Sequence, residues 1–241
     1  MKKVSLFALA VSLTTANVAS ATTPAVPAAC PKAFAGFHLG ANLGYDLGWG
    51  KQRITHTRAD GTTHSINNTL GFKGVAGGIG TGYLYRWRQW GLGLAFDAIW
   101  SNASGRVRDV DTSTGQSLIG KARLKNSLEL YGKFGYVLCG EQAMPFIGLG
   151  WANSKWSRKV VRNEVGESRF TAHSSKRYNS LLWKAGVDFL LTKHLVGGIE
   201  YTGMDADSKR FTRTNTATGE RISYSFKPQD NRISLTLRVV Y

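Results

Sequence analysis

Residues 231–241 read NRISLTLRVVY, and the apolar residues stand at alternating positions, namely Ile233, Leu235, Leu237, Val239 and Tyr241. Between them lie Arg232, Ser234, Thr236 and Arg238. Because successive side chains of an extended strand point to opposite faces, this stretch predicts a β-strand with one apolar face and one polar face. The quoted strand ends on an aromatic residue of its apolar face.

The same alternation recurs in seven earlier runs of the sequence. These runs lie at 37–49, 75–85, 90–100, 128–138, 147–151, 181–191 and 195–201. Strong period-two patterning with almost no helical periodicity indicates an all-β protein.

The connections between the runs alternate in length. Three are short and read RWRQ, CGEQAM and TKH, whereas the other four are long and each carries one central turn glycine. These glycines are Gly61, Gly115, Gly166 and Gly219, which are spaced 54, 51 and 53 residues apart. The sequence therefore predicts an eight-stranded antiparallel up-and-down transmembrane β-barrel with long surface hairpins and short periplasmic turns.

A soluble eight-stranded barrel is the alternative, and the composition of the polar face argues against it. That face holds mainly Gly, Ala, Ser and Asn, which suit the tight interior of an eight-stranded barrel better than a surface in bulk water. The apolar face is then the outside and requires lipid. Its aromatic residues gather toward strand ends, as in the interfacial girdles of membrane barrels, and include Trp49, Tyr83, Tyr85, Trp90, Trp100, Tyr136, Trp151, Trp183 and Tyr241.

The N-terminal residues are typical of a secretory signal peptide. Lys2 and Lys3 precede an apolar stretch, and Ala19-Ser20-Ala21 forms a small-residue cleavage site. We expect a signal peptide at 1–21, a periplasmic N-terminal segment at 22–36 and the barrel at 37–241.

Removal of Lys2 and Lys3 lowers the formal net charge from +16 to +14. A basic secreted chain predicts polyanionic partners such as lipid phosphates, lipopolysaccharide or acidic glycans, and not nucleic acid.

The whole mature chain resembles the small eight-stranded outer-membrane proteins of Gram-negative bacteria, the OmpA-barrel and OmpX/Ail-like group of the outer membrane protein beta-barrel family. Residues 36–50, GFHLGANLGYDLGWG, resemble the first strand of that family. Residues 235–241, LTLRVVY, resemble its C-terminal signal for the barrel-assembly machinery, with Tyr241 where Phe is most frequent. The resemblance implies location in the bacterial outer membrane and pairing of the last strand with the first.

Charged residues recur on the polar face, which would line the lumen. They are Asp46, Asp97, Glu129, Lys133, Lys184, Asp188, Glu200, Arg232 and Arg238. Because buried charges are costly unless they are paired, these five acids and four bases predict a salt-bridge network that fills the lumen. We expect a lower layer of Lys133, Asp188, Glu200 and Arg238, with the other five above it. A narrow porin-like channel is the alternative.

The long connections are basic. Ranges 51–70, 104–125, 153–178 and 204–230 contain 20 Lys or Arg and nine Asp or Glu, a net charge of +11. The third is densest, and its candidate basic surface comprises Arg158, Lys159, Arg162, Arg169, Lys176 and Arg177. Two interpretations stay open, namely contact with lipopolysaccharide phosphates around the rim and adhesion to a sulfated glycan or another host polyanion.

An enzyme is a third alternative. Outer-membrane lipid A deacylases have a barrel of similar size and a His-x-Ser pair, and His173 and Ser175 match that spacing. The downstream acid, Asp188, is expected in the lumen, so the pair would lack an orienting carboxylate. We therefore predict no catalytic residue, and no cluster has the spacing of a metal site or calls for a cofactor.

Cys30 and Cys139 are the only two cysteines, in a compartment that favours disulfides. Cys30 lies seven residues before Phe37, a span of at most about 25 Å when extended. This reach allows a Cys30–Cys139 disulfide that draws the N-terminal segment across the short-turn mouth, with two free thiols as the alternative. The expected protein is a non-enzymatic surface protein of the outer membrane that contributes to membrane integrity and lipopolysaccharide contact, with host adhesion or immune evasion through the basic loops as a further expected role.

Overall fold

The computed structural model describes residues 34–110, 117–138, 142–163, 170–216 and 219–241. It contains ten strands: β1 (Gly36–Thr57), β2 (Thr63–Trp87), β3 (Trp90–Ser101), β4 (Ser104–Val110), β5 (Ser117–Tyr136), β6 (Ala143–Asn163), β7 (Phe170–Thr192), β8 (Leu195–Ala206), β9 (Lys209–Thr214) and β10 (Arg221–Val240). Within these ranges, no helix is long and apolar enough to cross a membrane.

The strands form a closed antiparallel ring in the order β1, β10, β8, β7, β6, β5, β3, β2, with β2 returning to β1. A two-residue break at 102–103 separates β3 from β4, and another at 207–208 separates β8 from β9, so each of these pairs forms a single wall of the ring. The predicted eight-stranded barrel is therefore confirmed. The last strand closes the ring against the first from His38↔Val240 to Thr57↔Arg221, which leaves no free edge in the lipid layer.

The apolar face of each strand is the outer face. Leu43 on β1 and Leu235 on β10 are each 62% exposed, whereas Asp46 on the other face of β1 is fully buried. The lumen is narrow enough to require small residues, because a Cβ added at Gly80 would lie 2.1 Å from the Asp97 carboxylate. An apolar exterior around a polar interior is the arrangement that lipid demands.

Aromatic residues mark both rims of the lipid-facing band. Trp49, Trp100, Trp151 and Trp183 lie toward the long hairpins, and Tyr85, Trp87, Trp90 and Tyr241 lie toward the short turns. At the short-turn rim Trp90 stacks on Phe134 with ring centroids 5.1 Å apart. Such amphipathic rings favour the boundary between hydrocarbon and headgroups, so the two girdles fix the depth of the barrel.

An apolar cluster closes the lumen at the short-turn end. Phe34, directly before β1, is only 4% exposed. It belongs to a buried cluster that also contains Leu84, Val137, Met144, Val196 and Val240. Phe34 thus places the end of the expected segment 22–36 inside the mouth of the barrel. Residues 1–33, which include the expected signal peptide, lie outside the described residues.

Beyond the long-hairpin girdle the ring divides into two four-stranded sheets, which together form what we call the cap (residues 51–73, 104–124, 156–178 and 209–228). One sheet is β9-β10-β1-β2, and the other is β4-β5-β6-β7. β2 meets β4 at a single register pair, Lys73↔Ser104, and β7 pairs with β8 only from Ser180 onward. Two seams therefore separate the sheets, the β2–β4 seam and the β7–β9 seam.

The cap has a hydrophobic core of its own between the two sheets. It contains Ile54, Ile66, Leu70, Phe72, Ala103, Ala122, Leu124, Trp156, Val160, Ala172, Tyr178, Ala206, Phe211, Ile222, Tyr224 and Phe226. Its hairpin tips include Gly61 and Gly219 with φ of 84° and 71°, a region that other residues adopt only with strain. Gly115 and Gly166, the other predicted turn glycines, lie outside the described residues.

Candidate functional site

The lower part of the lumen contains a chain of ion pairs. Lys133 Nζ lies 2.5 Å from Asp188 Oδ2, and Arg238 Nη1 lies 2.9 Å from Asp188 Oδ1. Arg238 Nη2 then reaches Glu200 Oε2 at 3.2 Å. The structure thus brings together all four residues expected in the lower layer, and each arginine or carboxylate in the middle of the chain contacts two partners.

Lys184 joins this chain to the charges above it. Its Nζ lies 2.8 Å from Glu200, 2.7 Å from Asp97 and 3.0 Å from Glu129. Arg232 Nη2 donates to both oxygens of Glu129, at 2.6 and 2.8 Å. Eight of the nine predicted lumen residues, all except Asp46, therefore form one continuous network. The joint depends on the long lysine side chain, whose reach along the barrel axis cannot be read from strand periodicity.

Two further lumen carboxylates lie near Arg232 but are joined to the network by no hydrogen bond between described residues. Asp46 accepts a hydrogen bond from the Ser101 hydroxyl, but its Oδ1 receives none. Asp230 is 3% exposed, and neither of its oxygens receives a hydrogen bond of ordinary geometry. Sequence reasoning assigned Asp230 to a long connection, although it has the same parity as Arg232 on β10. Among the described residues the lumen therefore holds six acids and four bases.

A small cavity lies in the lumen at its short-turn end. Its volume is about 20 Å³, and it lies beside Phe34, His38 and Lys133. This volume accommodates about one water molecule. Lys133 Nζ also lies 3.7 Å from the centre of the Phe146 ring, and Lys184 Nζ lies 4.2 Å from that of Tyr131. Side chains, rather than an aqueous path, thus occupy the middle of the barrel.

The predicted basic surface of the third hairpin is only partly on the surface. Lys159, Lys176 and Arg177 are exposed. Arg158, in contrast, is fully buried, so its assignment to the surface was wrong. Period-two alternation continues along β6 beyond the girdle, which turns Trp156, Arg158 and Val160 into the cap. The end of β6 includes Arg162, whose side chain is not described, and Arg169 lies outside the described residues.

Aromatic rings surround the Arg158 guanidinium. Its carbon lies 4.9 Å from the ring centre of Phe211 and 5.4 Å from those of Tyr178 and Tyr224. Nη1 donates to the Lys209 carbonyl at 3.3 Å, whereas Nε and Nη2 have no acceptor. Burial lowers the pKa of Arg158 and raises the pKa of Tyr178 to about 12, since charged forms are disfavoured away from water.

A second basic feature lies on the outer surface, just beyond the girdle residue Trp49. This basic groove has a volume of about 450 Å³ and is lined by Lys51, Gln52, Arg53, Asn67, Asn68, Thr69, Ser208, Ser225 and Lys227. Lys51 and Lys227 are directly opposite each other across β1 and β10. Asp205 is not one of the lining residues, but its Oδ1 lies 3.2 Å from Lys227 Nζ. Like charges on directly opposite residues repel, so the groove favours an anion between them.

The histidine and serine considered for catalysis do not pair as their spacing suggested. His173 Nε2 lies 3.1 Å from the hydroxyl of Ser157 on the neighbouring strand, not from that of Ser175. Asp188 lies in the lumen, where Lys133 and Arg238 bind it. In the described part of the chain, no carboxylate contacts His173. An exposed Ser–His pair without an orienting acid is incomplete as a catalytic device.

Two further features are the candidate metal ligands and the two cysteines of the predicted disulfide. No group of three or more His, Cys, Asp or Glu among the described residues is arranged to hold a metal ion. Cys30 and Cys139 both lie outside the described residues, so their disulfide stays a prediction.

The closed ring, the lipid-facing exterior and the charged lumen agree with a comparison to known families. A sequence profile described as the outer membrane protein beta-barrel domain matches residues 6–237. The chain belongs to this outer membrane protein beta-barrel family. It is accordingly a protein of the bacterial outer membrane, and the end with short turns is periplasmic while the cap is extracellular.

Solved structures similar to this chain include surface and outer-membrane proteins from several bacteria. OprG from Pseudomonas aeruginosa is 13% identical, with 86% of this chain and 97% of that chain covered and a TM-score of 0.52. The outer membrane protease OmpT from Escherichia coli is 11% identical, with 84% and 97% covered and a TM-score of 0.45. Neisserial surface protein A is 14% identical, with 86% and 98% covered and a TM-score of 0.41. Identities this low show the fold alone. No curated protein matches the sequence significantly.

Proposed function

We propose that this member of the outer membrane protein beta-barrel family is a non-enzymatic surface protein that contributes to membrane integrity by binding lipopolysaccharide at the basic groove. One observation carries the proposal. Lys51 and Lys227 face each other across β1 and β10, with Arg53 beside them, immediately outside the aromatic girdle.

The position of the groove matches the position of the phosphates of lipid A. Lys51 follows Trp49 by two residues, which is about 7 Å along a strand. The girdle lies at the level of the headgroups, so the three cations meet the phosphate layer of the outer leaflet. Phosphate oxygens form strong charge-assisted hydrogen bonds with lysine and arginine, and they would relieve the repulsion between Lys51 and Lys227. The amides of Asn67 and Asn68 add donors suited to sugar hydroxyls.

The lumen supports a surface role over transport. Its charges pair within the barrel through Lys184 and Arg238, and apolar clusters lie both above and below them. Only wider barrels leave an aqueous channel. We therefore interpret the nine charged residues predicted for the lumen as a structural filling, with Asp230 as a tenth.

Several expectations from the sequence belong to the same proposal. The strand that ends at Tyr241 would present the signal for the barrel-assembly machinery, and residues 1–21 would be removed as a signal peptide. A disulfide between Cys30 and Cys139 would hold the N-terminal segment near Phe34, which already lies in the periplasmic mouth. The exposed cations Lys159 and Arg177 would give the cap its affinity for a host polyanion.

Neutralising the groove tests the proposal. The triple variant Lys51→Gln/Arg53→Gln/Lys227→Gln should bind lipopolysaccharide on the order of 100-fold more weakly, since each cation near a charged membrane surface contributes about 1 kcal/mol. Affinity is measured by titrating the refolded barrel in detergent with lipopolysaccharide, and with phospholipid for comparison.

The matched control is Lys121→Gln/Arg123→Gln/Lys159→Gln, which removes the same charge from the outer face of β5 and β6. Lys159 lies eight residues beyond Trp151, about 26 Å along the strand and well outside the phosphate layer. Equal losses in the two triple variants would show that binding follows net charge rather than the groove, and would overturn the proposal.

A further inference from the structure

The cap buries a positive charge that pairs with no carboxylate of the described residues. Arg158 is fully buried, and among the described residues its side chain meets three aromatic rings and one backbone carbonyl. The rings offer a cation–π attraction but no hydrogen-bond acceptor in the plane of the guanidinium. A buried charge without a hydrogen-bonded counter-ion is strongly destabilising. Among the described residues, the cap therefore offers the Arg158 guanidinium no counter-ion.

The unpaired polar groups around Arg158 share one chemical property. They are Nε and Nη2 of Arg158, the hydroxyl of Tyr178 and Nε2 of Gln52, and each of them can donate a hydrogen bond. Gln52 belongs to this set through Tyr224, whose hydroxyl donates to Gln52 Oε1 at 2.9 Å. A group that satisfies several buried donors at once is an oxyanion.

The free edge of the guanidinium is the one that recognises oxyanions. Nε and Nη2 lie on the same side of the planar group, where two parallel N–H bonds match the two oxygens of a carboxylate, sulfate or phosphate. Nη1, on the other side, is already held by the Lys209 carbonyl. The guanidinium carbon lies over the ring of Phe211, 4.9 Å from its centre, so this ring packs against the face of the group and leaves the side-on edge open.

The β7–β9 seam gives access to this edge. No backbone ladder joins the two strands. Instead Lys176 Nζ donates to the Arg210 carbonyl at 3.2 Å, and Lys209 Nζ donates to the Arg177 carbonyl at 2.7 Å. Because Arg158 bonds to the carbonyl of Lys209, it lies directly beneath the seam. Movement of these two lysine side chains would widen the seam without breaking a strand pair, a small local opening compared with unfolding.

Charge around the seam favours entry of an anion. Lys176 and Arg177 flank it on β7, and Lys209 and Arg210 flank it on β9. Asp207 lies at its lower end, where its amide donates to the Asn179 carbonyl. A cleft lined mainly by one sign of charge concentrates ligands of the opposite sign.

We propose that the β7–β9 seam admits an oxyanion, the carboxylate of an acidic sugar or a sulfate or phosphate ester, to the side-on edge of Arg158. The anion accepts hydrogen bonds from Nε and Nη2 of Arg158. The two lysines that close the seam then turn toward the rest of the ligand. This site lies inside the cap and shares only Gln52 with the basic groove. It does not involve Lys51, Arg53 or Lys227, so it stands or falls independently of lipopolysaccharide binding.

The test uses the refolded full-length barrel in micelles, titrated separately with glucuronate, inorganic sulfate and inorganic phosphate. Binding is followed by the NMR signal of the Arg158 Nε–H, assigned by its loss in Arg158→Met. We expect saturable binding, at least tenfold weaker in Arg158→Lys, which keeps the charge but lacks the side-on edge. Arg158→Met should abolish it, measured by calorimetry, while the thermal midpoint is retained or raised because an apolar side chain replaces an unpaired buried charge.

Lys121→Met is the matched control, since it removes an exposed cation from β5, the strand that pairs with β6 beside Arg158. Its affinity for all three anions should equal that of the natural protein. Preference for glucuronate identifies a carboxylate ligand, and preference for sulfate or phosphate identifies an ester. Absence of saturable binding by all three, or equal binding by Arg158→Met, would overturn the proposal.

Discussion

At the scale of single residues, Asp230 and Lys184 show how a buried charge depends on its partners. Lys184 is surrounded by three carboxylates within 3.0 Å. Asp230 is as deeply buried and lies near Arg232, yet neither of its oxygens receives a hydrogen bond of ordinary geometry, and a second carboxylate, Asp46, repels it. Removing one partner from a buried ion pair is destabilising, whereas removing a buried carboxylate that lacks hydrogen bonds and faces a like charge should be stabilising.

We expect Asp230→Asn to raise the free energy of unfolding by about 1–3 kcal/mol, because the substitution removes the repulsion between Asp230 and Asp46 and retains the shape of the side chain. The measurement is equilibrium urea unfolding in lipid vesicles. Asp97→Asn is the control, since Asp97 is bound by Lys184, and it should lower the same quantity. A destabilised Asp230→Asn would mean that Asp230 has a partner not recognised in the structure.

At the scale of elements, the two faces of one strand tolerate different side chains. On β2, Gly80 faces the lumen and Gly77 faces the lipid. A Cβ at Gly80 would lie 2.1 Å from Asp97 Oδ1, and one at Gly77 would meet nothing closer than 3.5 Å. The glycines of the inward face are therefore part of the packing of the ion pairs.

Gly80→Val should cost about 1–3 kcal/mol of unfolding free energy, as overpacking does in a filled core, and should reduce the yield of folded barrel. The valine displaces Asp97 from Lys184. Gly77→Val, three residues away on the same strand, should be nearly neutral because it only adds apolar surface to the lipid side. Gel mobility of unheated samples reports the folded fraction. If both variants fold equally well, the lumen is less tightly packed than described.

At the scale of the whole molecule, three layers of side chains follow one another along the barrel axis. The periplasmic cluster around Phe34 is first, the ion-pair network is second and the core of the cap is third. Each layer is continuous across the interior. A single substitution in one layer leaves the other two in place.

In planar bilayers, we expect the refolded protein to show no stable single-channel conductance, with or without reductant, because all three layers obstruct the axis. Lys184→Ala should lower stability by about 3–5 kcal/mol, since three carboxylates lose a partner, and still conduct poorly. Steady conductance of the natural protein would show that the lumen is a channel. Conductance that appears only after reduction would assign a gate to Cys30 and Cys139.

Much of the barrel was predictable, because period-two alternation alone separates lumen from lipid at positions such as Leu43 and Asp46. The resemblance to the outer-membrane barrel family and the aromatic residues at the strand ends predicted that the protein lies in the outer membrane. The cap was not predicted in detail, since its strands were treated as connections and a basic residue there was assigned to solvent. For Arg158, the alternation with Trp156 and Val160 already indicated that the side chain points into the cap. Which carboxylates Lys184 reaches depends on side-chain length and barrel curvature, and neither follows from a repeat of two.

The apolar core of the cap has a consequence for how the protein inserts into the outer membrane. These strands must pass the bilayer before they enclose anything, and the lumen is too full for a folded cap to travel through it. Sixteen side chains therefore leave water together only on the far side. Once these side chains are buried, moving the hairpins back across the bilayer would expose them to water again. The free energy of that exposure opposes the reverse movement. The same residues that shape the outer surface thus make insertion a one-way event.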